Sequence, residues 1–264
     1  MKKGAIGWVL AALVAVTGLA GAASAATASL DVGLYSAYVW RGQVYNEDAV
    51  VQPAWTVSKD KGLSLSVWGN FVPSDENNAV FVDAEGNETT DDAENEFSEV
   101  DLTVSYDLTL GEESPVAVTI GAVQYVLSHP DGDTREASIK VGTDKVPLSP
   151  ALAVNYDFDE AEGFYSALSI SHEIAIREKL TLGLSGSIGY ADDSYNEYYF
   201  GVADSAVNDA TVSMALAYQV NDAVSVSGTI LYTALLDDAI KDGAAVIYGD
   251  DSHTVYSAGV SYGF

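Results

Sequence analysis

From Tyr256 to the last residue, apolar and small polar side chains alternate without a break. Tyr256, Ala258, Val260, Tyr262 and Phe264 alternate with Ser257, Gly259, Ser261 and Gly263. Period two is the signature of a β-strand with two different faces. One face here is apolar or aromatic, and the other is small and polar. A chain made of such strands has two ways to hide its apolar faces: stack two sheets in a sandwich, or turn the faces toward lipid as a closed barrel.

The rest of the chain repeats the pattern. Twelve segments of roughly membrane-crossing length are expected at 29–41, 48–58, 62–72, 97–110, 115–127, 135–144, 147–158, 163–175, 179–190, 207–220, 223–235 and 252–264. Val100, Leu102, Val104, Tyr106 and Leu108 alternate with Asp101, Thr103, Ser105 and Asp107. Val212, Met214, Leu216 and Tyr218 alternate with Ser213, Ala215, Ala217 and Gln219 in the same way. No helical period persists in these segments. The second face is Ser, Thr, Gly and Ala almost throughout, which favours the barrel over a sandwich, whose strands are also usually shorter. Short turns near 59–62, 111–114, 144–146, 177–178 and 221–222 alternate with longer links at 73–96, 128–134, 191–206 and 236–251, although 159–162 is brief. The expected fold is all-β: a transmembrane antiparallel up-and-down barrel of about twelve strands, with the long loops on one side.

The N-terminus gives a matching address. Lys2 and Lys3 precede an apolar run from Ala5 to Ala20, and Ala23-Ser24-Ala25 offers a small-residue cleavage site. Residues 1–25 read as a secretory signal peptide cleaved after Ala25, leaving residues 26–264 as the barrel domain. The mature 239 residues carry 39 acidic and 9 basic side chains, a formal charge of −30. A surface this acidic repels nucleic acid. The absence of Cys removes disulfides, thiol chemistry and Cys-ligated metals.

Aromatic rings favour bilayer interfaces. Tyr38, Trp40, Tyr156, Phe158, Tyr190 and Tyr232 fall near one set of strand ends; Tyr106, Tyr218, Tyr262 and Phe264 fall near the other. They are the candidate girdles. With the apolar face outward, the candidate lumen and constriction residues are Arg41, Gln52, Asn70, Glu99, Asp101, Lys140, Asn155 and Asp157. Arg41 facing Glu99 and Asp101 is the expected network at the mouth. Such charges either line a water-filled path or form an ion-pair plug. Small inward side chains favour the narrow channel, and the acidic excess favours cations or neutral solutes.

Residues 73–101 carry eleven carboxylates and no Lys or Arg. They read first as a solvated loop, with divalent cations as possible partners through oxygen ligands. An enzyme is not expected. Ser171 and His172 are adjacent on a strand and point to opposite faces, so they cannot pair as nucleophile and base. No nucleophile elbow, His-Glu-x-x-His or phosphate-binding loop is present. No cofactor is expected.

The stretch Ser29-Leu30-Asp31-Val32-Gly33-Leu34-Tyr35-Ser36-Ala37-Tyr38-Val39-Trp40-Arg41-Gly42-Gln43 resembles the opening of the TorF-type porin family. Tyr38, Arg41-Gly42 and Pro53-Ala54 fit its pattern, and Leu63–Phe71 with Val67-Trp68-Gly69 is similar to its third strand. The match covers residues 29–72. It departs at Ala37, before Tyr38, and in the long acidic loop after Pro73. The terminal Phe264 resembles the closing strand of outer-membrane barrels, which implies outer-membrane lipid and the assembly machinery as partners. The resemblance implies a porin-like barrel in the outer membrane and no particular solute. The expected function is passive diffusion of small hydrophilic solutes; the alternative is an occluded structural or adhesive surface protein.

Overall fold

A computed structural model describes residues 26–59, 62–73, 80–82, 88–90, 95–108, 110, 114–127 and 133–264. The signal-peptide expectation at 1–25 lies outside them. So do most carboxylates of the acidic loop, with the divalent-cation expectation they carry, and His129.

Strands β1 (Ala26–Tyr35), β4 (Val50–Lys59), β5 (Leu63–Val72), β8 (Glu96–Leu108), β9 (Ala117–Leu127), β10 (Thr134–Gly142), β11 (Ala151–Asp157), β12 (Phe164–Arg177), β13 (Leu180–Ala191), β14 (Ala206–Gln219), β15 (Val224–Leu235) and β16 (Ser252–Gly263) form one closed antiparallel barrel. All twelve expected strands are present. Each pairs with its neighbour in this order, and β1 closes against β16 from Ser29↔Gly263 to Tyr35↔Ser257. Phe264 extends the seam: its N–H donates to Ala28 O at 2.9 Å, and Ala28 N–H donates back to Phe264 O at 3.0 Å. The barrel wall itself has no free edge to pair with another chain.

The two faces separate as the alternation requires. Leu30, Val104, Ile120, Ile139, Leu168, Met214 and Val260 point outward and stay exposed. A continuous apolar skin of this kind is stable against hydrocarbon, not against water. His172 lies on this outer face and pairs with Leu184, while Ser171 points inward. Rings cluster near the strand ends. Tyr156 stacks on Phe164 at 4.4 Å and Phe71 meets Phe97 edge-on at 5.4 Å near one end; Tyr262 meets Phe264 at 5.5 Å at the other. Phe158, Tyr190 and Tyr232 are exposed near the first end, and Tyr106 and Tyr218 near the second.

Two expected boundaries shift. The seventh strand begins at Ala151, not 147, because residues 143–150 form a turn in which Leu148 and Ser149 take positive φ. More important, the first strand ends at Tyr35 instead of running to 41. The chain leaves the wall there and forms a separate hairpin, β2 (Tyr38–Trp40) with β3 (Gln43–Asn46), before rejoining the barrel at β4. A further small ladder pairs β6 (Val80–Val82) with β7 (Glu88–Thr90). Two short helices stand in the long links: α1 (Asp193–Phe200) and α2 (Asp238–Ile247). Each starts at an Asp whose side chain accepts the first free N–H groups: Asp192 from Tyr195, and Asp237 from Ala239 and Ile240.

Candidate functional site: the plugged bore

The hairpin turns into the barrel. Its loop is the pair Arg41-Gly42, with φ of 50° and 80°. Positive φ at both central residues defines the tight turn that matches strand twist, and Gly tolerates it without strain. A Cβ on Gly42 would lie 2.6 Å from Leu235 Cδ2 and 3.1 Å from Asp209 Cβ. The tip therefore rests against β14 and β15, having left the wall between β1 and β4.

Arg41 is the centre of the contact. Its Nη1 donates to Glu136 Oε1 at 2.6 Å and its Nη2 to Glu136 Oε2 at 2.7 Å. This is the bidentate fork that Arg makes best with a carboxylate. Tyr125 also donates to Glu136, at 3.0 Å. The guanidinium carbon lies 4.1 Å from the Trp40 ring centroid and 4.3 Å from that of Tyr165, close enough for cation–π attraction. Glu136 is only 2% exposed.

The rest of the hairpin is anchored by polar groups. Tyr38 donates to Glu99 at 2.8 Å. Gln43, fully buried, donates to the Tyr195 hydroxyl at 3.3 Å and accepts from Tyr45 and Tyr248 at 3.0 and 2.8 Å. The helices complete the plug. Tyr195, Tyr199 and Phe200 of α1 and Ile240 and Ala244 of α2 share one buried cluster with Tyr165 and Leu235 of the wall. Burial pushes the Tyr45 and Tyr199 phenols up, which favours their neutral form.

The two halves of the bore differ. At the long-loop end, inward Asn70, Glu136, Asp157 and Asp209 are buried under the plug. At the opposite end, inward Lys140, Ser171, Glu173 and Ser185 are exposed. Hydroxyl pairs line that half, such as Ser58 with Ser64 and Ser185 with Ser213, each at 2.7 Å. The side chains of this half are mostly small, and they stay exposed or partly exposed although they point into the barrel.

The expected lumen residues all turn inward, but their partners differ from expectation. Arg41 binds Glu136, not Glu99 and Asp101; it sits on the hairpin tip and crosses the bore, whereas an extended first strand would have held it against the near wall. Glu99 takes Tyr38 instead. Gln52 donates to Asn70 at 3.0 Å, and Asn70 donates to Ser98 at 2.9 Å. Asn155 donates to the Tyr165 carbonyl at 3.4 Å. Asp157 accepts from Thr134 Oγ1 and from the amides of Asp159 and Glu160, and so ties down the 158–163 link. Asp101 lies inward beside Glu99, and Lys140 lines the open half. Tyr38 and Trp40 are not girdle residues. They belong to the plug, where Tyr38 packs on Tyr45 at 5.5 Å and Trp40 meets Tyr125 edge-on at 5.7 Å.

Sequence reasoning missed Glu136, Gln43, Tyr165, Asp209 and the α1 tyrosines. Glu136 shares its parity with Lys140 and was legible as inward-facing; its partner was not.

Compared with curated proteins, the chain has no significant sequence match. Its fold is similar to solved outer-membrane structures. A NanC porin aligns with a TM-score of 0.51 at 15% identity over 88% of this chain and 98% of that one. A KdgM porin aligns with a TM-score of 0.53 at 13% identity over 89% and 99%. The COG4313 outer membrane channel from Pseudomonas putida F1 aligns with a TM-score of 0.51 at 7% identity over 92% and 96%. At these identities the likeness is one of fold. Residues 19–247 match the model of a family described as "Bacterial protein of unknown function (Gcw_chp)", and the chain belongs to that family.

Proposed function

We propose that this protein is an outer-membrane channel of the porin type, passing small hydrophilic solutes that are neutral or cationic, with the 36–49 loop as its constriction. The observation that carries this reading is the contrast inside the bore. An open, serine-lined half with exposed inward side chains lies beneath a hairpin whose tip is fastened to the far wall by one ion pair. Acidic groups dominate the wall: Glu99, Asp101, Glu136, Asp157, Glu173 and Asp209 face inward, against Arg41 and Lys140. Such a lining favours cations over anions. It disfavours an anionic oligosaccharide of the kind named for the KdgM complex with oligogalacturonate. The resemblance of residues 29–72 to TorF-type porins points the same way. In this reading the end with short turns and both termini faces the periplasm, and the plug faces outward.

Reconstitution of residues 26–264 in planar bilayers tests it. Conductance steps with a reversal potential toward the cation support the reading. Silence in the wild type and after removal of residues 37–47 favours the second reading, an occluded structural or adhesive surface protein. That alternative draws on the packing of the plug, where Gln43 and Tyr195 are fully buried. Anion selectivity would contradict the role given to the acidic wall.

A further inference from the structure

We propose that the pocket holding the Arg41 side chain is a binding site for small solutes bearing a guanidinium or ammonium group, and that such a solute releases the hairpin by taking Arg41's place. This deepens the channel reading and rests on it.

Much of the pocket does not belong to the hairpin. Glu136 and Tyr125 stand on β10 and β9, Tyr165 on β12, and Tyr195 on α1. Glu136 offers both oxygens in one plane, at 2.6 and 2.7 Å from the two guanidinium nitrogens, and Tyr125 holds the carboxylate in place from the side. The Tyr165 ring lies 4.3 Å from the guanidinium carbon, and Tyr195 donates a second ring at 5.7 Å. A carboxylate fork at the edge and aromatic rings at the face recognise a flat, weakly hydrated cation. They do not suit an anion. Arg41 therefore marks the chemistry that the wall selects.

The surrounding charge points to the same class of ligand. The inward groups of this half on β8, β11 and β14 are Glu99, Asp101, Asp157 and Asp209. Lys140 lies in the other half, where it is exposed. Among the described groups of this half carboxylates outnumber the basic side chains Arg41, Arg135 and Lys241, and the last two are already paired with Asp159 and Asp238, so the field favours an entering cation.

Exchange is easier than simple opening. Pulling Arg41 out alone strands a buried carboxylate, which is costly. Replacing it with a free cation leaves the carboxylate paired throughout. A group on a short tether competes at an effective concentration on the order of millimolar, so solutes in that range are effective competitors. The released hairpin keeps its turn and swings as a unit, so Val44 on β3 leaves its buried place together with Arg41. The solute shifts the population toward the released hairpin because it binds that form alone.

The test uses agmatine, a guanidinium with an ammonium tail, with butanediol and glutarate as neutral and anionic controls. The chain has no Cys, so Val44→Cys places a single thiol on a residue that is 2% exposed. Millimolar agmatine should speed maleimide labelling of this thiol by about threefold or more, and the controls should not. Arg41→Lys cannot bridge both carboxylate oxygens, so half-maximal release should need about tenfold less agmatine. In Arg41→Ala, agmatine should raise the melting temperature saturably, and adding Glu136→Gln should remove the shift. Labelling that ignores agmatine in both the wild-type and Arg41→Lys backgrounds overturns the proposal, even if Arg41→Ala does not fold. Bilayer silence with agmatine-dependent labelling would sink the channel reading and leave the site standing. Conduction with agmatine-independent labelling would do the reverse.

Discussion

Arg41 and Glu136 lie 95 residues apart and meet in the middle of the bore through two charge-assisted hydrogen bonds, at 2.6 and 2.7 Å. The contact joins a loop rooted between β1 and β4 to β10 on the far side. Both partners are largely out of water, so removing one leaves a buried charge without its counter-ion. Such a loss costs about 3–5 kcal/mol, whereas replacing both partners by apolar groups is often close to neutral. Glu136→Leu should therefore destabilise the detergent-held protein far more than the pair Arg41→Met with Glu136→Leu. Thermal unfolding of the four proteins of the cycle measures the difference. Equal losses in the single and double variants would show that the ion pair does not seat the hairpin.

The turn itself is the next weak point. Gly42 has a φ of 80°, and a Cβ there would lie 2.6 Å from Leu235. Gly42→Val meets both penalties: a β-branched residue at positive φ, and a side chain where Leu235 of β15 already stands. The expected result is a hairpin lifted from its seat while the twelve-stranded wall survives. Trypsin then finds the Arg41 bond, which the wild type protects. Cleavage after Arg41 in the variant alone, with unchanged strand content by circular dichroism, is the predicted outcome.

The wall was legible from sequence because period two has one physical reading when every other residue is Leu, Val or Ile and the rest are Ser, Thr or Gly. Leu63–Phe71 and Val212–Tyr218 could not be placed otherwise. The plug was not legible by the same rule. Leu34, Tyr38 and Trp40 keep the parity of the first strand, so alternation carried the reading straight through the point where the chain leaves the sheet. The competing signal was local: Arg41-Gly42 between Trp40 and Gln43 is a two-residue turn with Gly. The helices had signals too, in Asp192 and Asp237, and in Gly201, which takes the left-handed position ending α1. The Arg41 partner was beyond reach, because a contact across a barrel depends on where a loop folds, and no period encodes that.

A second link crosses the wall near the plug. Tyr165 on β12 donates to Asp209 on β14 at 2.8 Å, passing over β13 at Gly189. A Cβ on Gly189 would collide with Asp209 Oδ2 and the Tyr165 hydroxyl, so the bond exists only because that residue is Gly. Gly189→Ala should break it by steric conflict, and Tyr165→Phe by removing the donor. Each leaves the buried Asp209 carboxylate short of a partner, a loss of about 1–3 kcal/mol. The melting temperatures should fall together, and combining the two changes should cost little more than one. Full additivity would show that Gly189 serves something other than this bond.

Met214 and Ser213 are neighbours on β14 with opposite surroundings, and they give the most direct test of the barrel. Met214 points outward among Leu184 and Ile230, its cross-strand partners. Ser213 points inward and shares a 2.7 Å hydrogen bond with Ser185. An Arg on the lipid face near mid-bilayer costs about 2–4 kcal/mol, and an inward Arg meets water. Met214→Arg should therefore lower the yield of folded, heat-modifiable barrel, while Ser213→Arg should fold normally. The inward variant also adds a positive charge to the open half of the bore, beside Glu173 and Lys140 in character. Its reversal potential in a salt gradient should move toward the anion relative to the wild type. Equal tolerance of the two substitutions would mean that both faces of β14 see the same medium, which a membrane barrel does not allow.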